Sequence, residues 1–336
     1  MQIFWFLMLA AFVVVYAILD GFDLGVGALL PFITKNDQER EQAHASIGPV
    51  WNGNEVWLLA GGGVMFMAFP RLYASAFSGF YLALMLVLWL LMLRGIGYEF
   101  RHAHPSPLWK GLWDTAFSVS SALLAVLFGV AVGNVLRGVP LNAQGEFQGS
   151  FALMLNPFAL VAGVLCLVTL CLHGAAYLTA KADGALQARA RQWAGGFAVI
   201  AAALAAALAG LSPWAHPGFN ANFVHFPLLL LVPALAVGAL VLIGWSVKTQ
   251  NDGALFGGTS LFIAMLLGSA AAGMFPRMLP ALGHPEMDLT LWNSAASQTS
   301  LVSSLAANAI GLVAVIAYTI YLYKLWGGKT PHATHE

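Results

Sequence analysis

Residues 80–93, FYLALMLVLWLLML, run without one charged or strongly polar side chain. Apolar residues do not alternate with polar ones here, as they would in the roughly ten-residue segments of a membrane β-barrel. A stretch that is apolar on every face is a helix surrounded by lipid or by other helices. Similar runs recur from one end of the chain to the other. Of its 336 residues 60% are hydrophobic and only 8% are charged, against about 25% charged in soluble domains. The mean hydropathy is +0.80. The fold class that follows is an all-α polytopic membrane protein built of helical bundles, a single integral membrane domain over residues 1–336.

A membrane-spanning helix needs roughly 20 mainly apolar residues. The sequence predicts about nine, over residues 4–30, 50–69, 74–97, 114–136, 152–180, 194–212, 226–247, 254–275 and 303–326, with short connections and no internal repeat visible by eye. Cytoplasmic loops carry the excess of Lys and Arg. Eleven of the basic residues (Lys35, Arg40, Arg94, Arg101, Lys110, Lys181, Arg189, Arg191, Lys248, Lys324 and Lys329) fall after spans 1, 3, 5 and 7 and in the C-terminal tail, and three (Arg71, Arg137 and Arg277) fall on the other side. This asymmetry predicts a periplasmic N-terminus and a cytoplasmic C-terminus. Trp5, Trp51, Trp109, Trp113, Trp214, Trp292 and Trp326 lie near predicted span ends, where interfacial aromatics belong. The start MQIFW has no basic n-region, which argues against a cleaved signal peptide.

Within this apolar background the stretch AILDGFDLGVGALLPF (Ala17–Phe32) places Asp20 and Asp23 three positions apart on one helix face. Asp23 is seven residues before Leu30, about 10 Å inside the span. The second span opens with VWNGNEVWLLAGGG and puts Glu55 at a similar depth from the same side. Packing of spans 1 and 2, with Gly21, Gly25, Gly27 and Gly61 to Gly63 allowing close approach, would bring the three carboxyl groups together. Burial and a neighbouring carboxylate both favour the neutral form of a carboxyl group. Acids that take up and return a proton inside a membrane serve as relays. The competing reading makes them structural, as helix caps or partners of basic residues.

Other features carry less chemistry. The formal net charge is zero, so no nucleic acid partner is expected. Cys166 and Cys171 lie five apart in one apolar run and read as small packing residues. His173 reads as a hydrogen-bonded core histidine and His225 lies at the start of span 7. Two axial imidazoles facing one cavity are needed for a bis-histidine haem, and no convincing pair is present, so no haem is expected on this chain alone. Arg94 and Glu99 end span 3, where headgroups or each other are the expected partners, and Asn134 marks the end of span 4. No metal site, phosphate-binding loop, dinucleotide fingerprint or nucleophile elbow is present.

Specific words in the chain go beyond these physical readings. DGFDLGVG at Asp20, SIGPVWNGNEVWL at Ser46, AFSGFY at Ala76, GNVLRGVP at Gly133, LNPFAL at Leu155 and LTLWNSAASQTSL at Leu289 occur in that order. Together they resemble subunit II of the cytochrome bd-type quinol oxidases, including the cyanide-insensitive branch. The resemblance implies a heterodimer with a subunit I that holds two b-type haems and a d-type haem, or another b-type haem in its place. It implies quinol oxidation coupled to reduction of dioxygen to water in a bacterial cytoplasmic (inner) membrane, and a subunit II that serves proton delivery and assembly. A structural quinone and a small single-span accessory subunit accompany some members. The family's proton path matches Asp23, with Asp20 beside it, and an acid directly after the tryptophan that opens span 2. Here that position is Asn52, which cannot titrate, and Glu55, one turn along the same face, is the substitute. Rival readings are a proton-coupled secondary transporter and a purely structural membrane subunit.

Overall fold

The computed structural model describes residues 1–330. The predicted domain limit at residue 336 therefore lies outside the described residues. The chain folds into the helices α1 (Gln2–Ile33), α2 (Asp37–Ile47), α3 (Trp51–Ala68), α4 (Pro70–Gly79), α5 (Tyr81–Phe100), α6 (Pro107–Arg137), α7 (Phe151–Met154), α8 (Pro157–Lys181), α9 (Gly184–Ala215), α10 (Ala221–His225), α11 (Leu231–Thr249), α12 (Asp252–Met274) and α13 (Gln298–Leu325). Between α12 and α13 a small antiparallel pair forms, β1 (Arg277–Leu279) with β2 (Leu289–Thr290).

Among the described residues eight helices are long and apolar enough to cross a membrane. The second predicted span, 50–69, is the one not among them; it corresponds to α3, an 18-residue helix whose first turns carry Asn52, Asn54 and Glu55. Its polar start explains why apolarity alone does not mark it. The predicted third span is divided. Pro70 opens α4, and the chain turns at Phe80 before α5 begins. Proline at the first helical position lacks only an N–H that the helix does not need there.

Helix α1 is the spine. Its C-terminal half is buried among α2, α6, α8, α9 and α12, where Phe22, Val26, Leu29, Ile33, Leu172, Tyr177 and Phe262 form the main core. Its N-terminal half packs with α3, α4 and the hairpin through Trp5, Phe12, Trp57, Phe69 and Leu289. Most of the remaining apolar surface, such as Leu59, Val241 and Ile310, faces outward, as lipid solvation requires. Trp5 departs from its interfacial expectation. It is fully buried, and its indole N–H donates to the Leu301 carbonyl at 3.3 Å.

The glycines of α1 act differently from the expectation. A Cβ on Gly25 would lie 1.9 Å from the Leu170 carbonyl oxygen, and one on Gly174 would lie 2.4 Å from the Val26 nitrogen. The backbones of α1 and α8 thus touch at this crossing. Gly21 and Gly27 likewise face Leu170 and Ser121; of the α3 glycines Gly61 faces α1, with its Cβ position 3.6 Å from Phe12 Cβ, while Gly62 and Gly63 face open space. The glycine contacts of α1 serve α8 and α6, and α3 meets α1 through larger side chains, including Phe12 against Trp57. Capping follows the sequence. Asn36, Asn156, Asn251 and Ser297 each accept a hydrogen bond from a backbone N–H in the first turn of the helix they precede. Asn134 also bonds the Met154 carbonyl at 2.8 Å and accepts from Asn156 at 3.0 Å. The GNVLRGVP and LNPFAL segments are thereby fastened to each other.

Candidate functional site

Helices α1, α3 and α5 meet at a buried group of charges. Asp20 and Asp23 are both completely inaccessible, and Arg94, from α5, is 1% exposed. The Arg94 guanidinium donates to both Asp20 oxygens, at 2.6 and 3.0 Å. Paired parallel bonds of this kind are the strongest arrangement open to a carboxylate and a guanidinium. The same guanidinium lies 3.5 Å from Glu55 Oε1, without a hydrogen bond to it. It also approaches the Trp51 ring, 5.9 Å from the centroid.

Asp23 is held from α3. Asn54 donates its amide to Asp23 Oδ2 at 2.7 Å and to the Leu19 carbonyl at 3.0 Å, while its own Oδ1 accepts from the Tyr323 hydroxyl at 3.0 Å. The other carboxyl oxygen, Asp23 Oδ1, has no hydrogen-bond partner, and neither has Glu55 Oε1. Glu55 is the most open of the three acids, with 28% of its side chain exposed.

The charge count is uneven: three carboxyl groups share one cation. Arg94 gives its paired bonds to Asp20 and stands within ion-pair distance of Glu55, so neither Asp23 nor Glu55 has a cation to itself. An isolated ionised carboxylate in a low-dielectric setting is costly. One carboxyl group is locked to arginine, and the other two share the site without a cation of their own.

The three acids named from the sequence do converge here. Asn52 does not join them; it is exposed on α3 and makes no side-chain hydrogen bond. Arg94 was expected to meet headgroups or Glu99 and is instead the centre of the cluster, so one of the eleven basic residues counted toward a loop lies inside the bundle. Its signal was present, an arginine that directly follows an apolar run and precedes three more apolar or glycine positions. Asn54 and Tyr323 were missed because neutral polar side chains carry no comparable mark.

The histidines are engaged elsewhere. His173 Nε2 donates to the Ile18 carbonyl at 2.9 Å, and Nδ1 accepts from Thr259 at 2.7 Å. Both ring nitrogens are thus taken by protein. His225 bonds the Ala221 carbonyl in its own turn. Among the described residues no group of three His, Cys, Asp or Glu side chains is placed to hold a metal ion.

The family model described as cytochrome bd terminal oxidase subunit II matches residues 1–326. The chain belongs to this family. It is 37% identical to a probable cytochrome oxidase subunit 2 of Haemophilus influenzae, over 98% of this chain and 95% of that one. It is 32% identical to the cytochrome bd-I ubiquinol oxidase subunit 2 of Escherichia coli K12, over the same shares. A cytochrome bd ubiquinol oxidase subunit 2 of Bacillus subtilis is also 32% identical, over 98% of this chain and 96% of that one. The fold is that of a chain in the bd oxidase structure from Geobacillus thermodenitrificans, with a TM-score of 0.76 at 19% identity and coverage of 97% and 98%. The chain is therefore a multi-pass subunit of a cytochrome bd-type quinol oxidase, a haem-containing oxidoreductase complex of the bacterial inner membrane, and its partner is subunit I. The secondary-transporter reading falls with this membership.

Proposed function

We propose that this subunit delivers protons to the oxygen-reducing centre through Asp23 and Glu55, with Asp20 and Arg94 as the fixed pair that shapes their surroundings. Reduction of dioxygen to water consumes one proton for each electron, and a buried oxygen site needs a route for them. The observation that carries the reading is the excess of carboxyl groups over cations at one depth, with one oxygen of Asp23 and one of Glu55 left without a hydrogen bond. A group that only held helices together would give each buried carboxylate a cation. The basic asymmetry of the loops supports the orientation with α2 on the cytoplasmic side, which makes the cytoplasm the proton source.

The haems, b-type with a d-type or a substituting b-type, belong in this reading to subunit I. The hydrogen bonds that occupy both nitrogens of His173 support that division. Family resemblance adds a structural quinone and a small single-span subunit, and no residue of this chain is assigned to either.

The test is quinol oxidase turnover of the purified complex carrying Asp23→Asn or Glu55→Gln, with haem content and subunit ratio measured in the same samples. The expected result is a drop of about tenfold or more, within the range by which positioned proton-transfer groups act, with haem and assembly retained. Full turnover in both variants would make the acids structural and the chain a scaffold.

A further inference from the structure

At the end of the bundle that carries α2 lies a cavity of about 690 Å³, within the range of about 300–1,000 Å³ common for small-molecule sites. Two apolar spans stop at its wall, α8 at Lys181 and α13 at Leu325. The cavity therefore sits where hydrocarbon gives way to headgroups and water. The rest of the wall comes from α2 and the turn after it, from Tyr98 of α5, and from the residues that follow α13. Those last residues are tied back to α8. The Thr330 N–H donates to the Lys181 carbonyl at 2.8 Å, and Lys181 Nζ donates to the Trp326 carbonyl at 2.6 Å.

Three charged side chains line the space, Glu41, Lys181 and Lys329. Glu41 is already met by Arg101, by His102 at 3.0 Å and by Lys110 at 3.6 Å, none of which lines the cavity. The two lysines differ. Among the described residues neither has a carboxylate within ion-pair distance, and Lys181 has used one of its three donors. Tyr98 adds a further donor, since its hydroxyl makes no hydrogen bond among the described residues. It reaches the wall over Gly48, where a Cβ would lie 1.7 Å from the hydroxyl oxygen. The hydroxyls of Tyr177 and Tyr323 are taken, by the Ser46 carbonyl at 2.7 Å and by Asn54 at 3.0 Å.

We propose that this cavity binds the phosphate headgroup of an anionic membrane lipid, held by Lys181, Lys329 and Tyr98. Two ammonium groups without counter-ions and a free phenol on one wall have an anion as their complement. Phosphate suits them because its oxygens can accept from several donors, and lysine serves phosphate as a point charge. Basic pockets between spans are recurrent headgroup sites. Position favours a lipid over free phosphate. Leu325 and Trp326, on the same wall, are 57% and 51% exposed. They offer apolar surface to acyl chains, with the indole at headgroup level. The site stands apart from Asp20, Asp23 and Glu55, none of which lines it.

The experiment uses the assembled complex, stripped of loosely held lipid in detergent and titrated with dioleoyl-phosphatidylglycerol. Native mass spectrometry and the temperature of thermal inactivation are the readouts. Wild type is expected to hold one phosphatidylglycerol that Lys181→Gln/Lys329→Gln binds about tenfold more weakly. Lys181→Arg/Lys329→Arg keeps the charge and is expected to bind as wild type. Tyr98→Phe is expected to weaken binding about threefold, the loss of one hydrogen bond. Lys248→Gln/Lys324→Gln removes two lysines that are exposed and off the cavity wall, and is expected to keep the lipid. Each single Lys→Gln variant is measured as well and decides the matter if the double variant does not assemble. Inorganic phosphate is titrated in parallel. If it protects wild type from inactivation as phosphatidylglycerol does, and protects the Lys181→Gln/Lys329→Gln variant less, the lipid assignment fails and the site takes free phosphate. If the two Gln pairs weaken lipid binding equally, general surface charge accounts for it and the cavity is not a site. Equal binding by wild type and all variants overturns the proposal outright.

Discussion

Two buried arginines in this chain sit among carboxylates and do opposite things. Arg101, fully buried at the end of α5, donates to Asp114 at 2.7 Å, to Asp37 at 2.5 Å and to Glu41. Further partners surround those acids, the cations Lys110 and Arg40 and the imidazoles of His102 and His44. Lys110 reaches Asp37 at 2.7 Å, His102 reaches Glu41 at 3.0 Å, His44 reaches Asp114 at 3.1 Å, and Arg40 lies 3.8 Å from it. Carboxylates and cations are matched, and the network ties α2 to α5 and α6. Arg94, about two helical turns earlier, meets three carboxyl groups alone. Buried charge is tolerated in both places, but only the group around Arg101 gives every carboxylate a cation. The imbalance is what separates a candidate proton site from a structural one.

The comparison breaks most sharply at Arg94. Arg94→Met leaves Asp20 buried without its partner, a loss of about 3–5 kcal/mol for a broken buried pair. The expected outcome is loss of assembled, haem-containing complex from membranes. Asp20→Leu combined with Arg94→Met removes both charges and should recover assembly in large part, because replacing a whole buried pair by apolar residues is often neutral. Haem yield and thermal inactivation of the solubilised complex measure both.

Arg101→Gln should cost less, about 1–3 kcal/mol, since Asp37 and Glu41 open toward water and keep Lys110 and His102. Turnover per assembled complex should stay within twofold of wild type. A tenfold fall in turnover with full haem content would show that the balanced network also takes part in proton movement.

The smallest effect expected is on acidification. Burial pushes the Asp37 and Glu41 carboxyls up, but the hydrogen bonds and charges of Lys110, His102 and Arg101 outweigh it and hold both below the usual carboxylate value. A carboxyl group lowered in the fold stabilises above its unfolded pKa, about 4, and that contribution is lost as pH falls through the folded value. Burial also pushes the His44 imidazole below its ordinary value against the pull of Asp114. Its neutral form is therefore preferred, and stability falls as pH drops below about 6.5. Hydrogen exchange across α2 should show a first loosening below pH 6.5 and a second below pH 4. Protection of α2 that stays constant from pH 7 to pH 3 would remove these groups from the network.

Much of this molecule is decided by the linear order of its residues. Long apolar runs force membrane helices because an unpaired backbone polar group cannot be left in lipid, and only helices of sufficient length satisfy their own. The three acids stood out for the same reason, as charges in a segment that could not solvate them. Spacing alone placed Asp20 and Asp23 on one face and Glu55 at a similar depth. Tertiary structure decided the partners. Arg94 looked like the end of a span, and only the packing of α5 against α1 turned it inward to Asp20. The glycines of α1 looked like a groove for α3, yet α8 fills that groove, because which helix lies beside which depends on contacts far apart in the chain. Asn54 and Tyr323 are separated by 269 positions, and no local pattern marks either one. Sequence determines where a charge is costly. The fold determines which neighbour relieves that cost and which charges are left unrelieved, because a counter-ion or a hydrogen bond acts over a few ångströms of space and not along the chain.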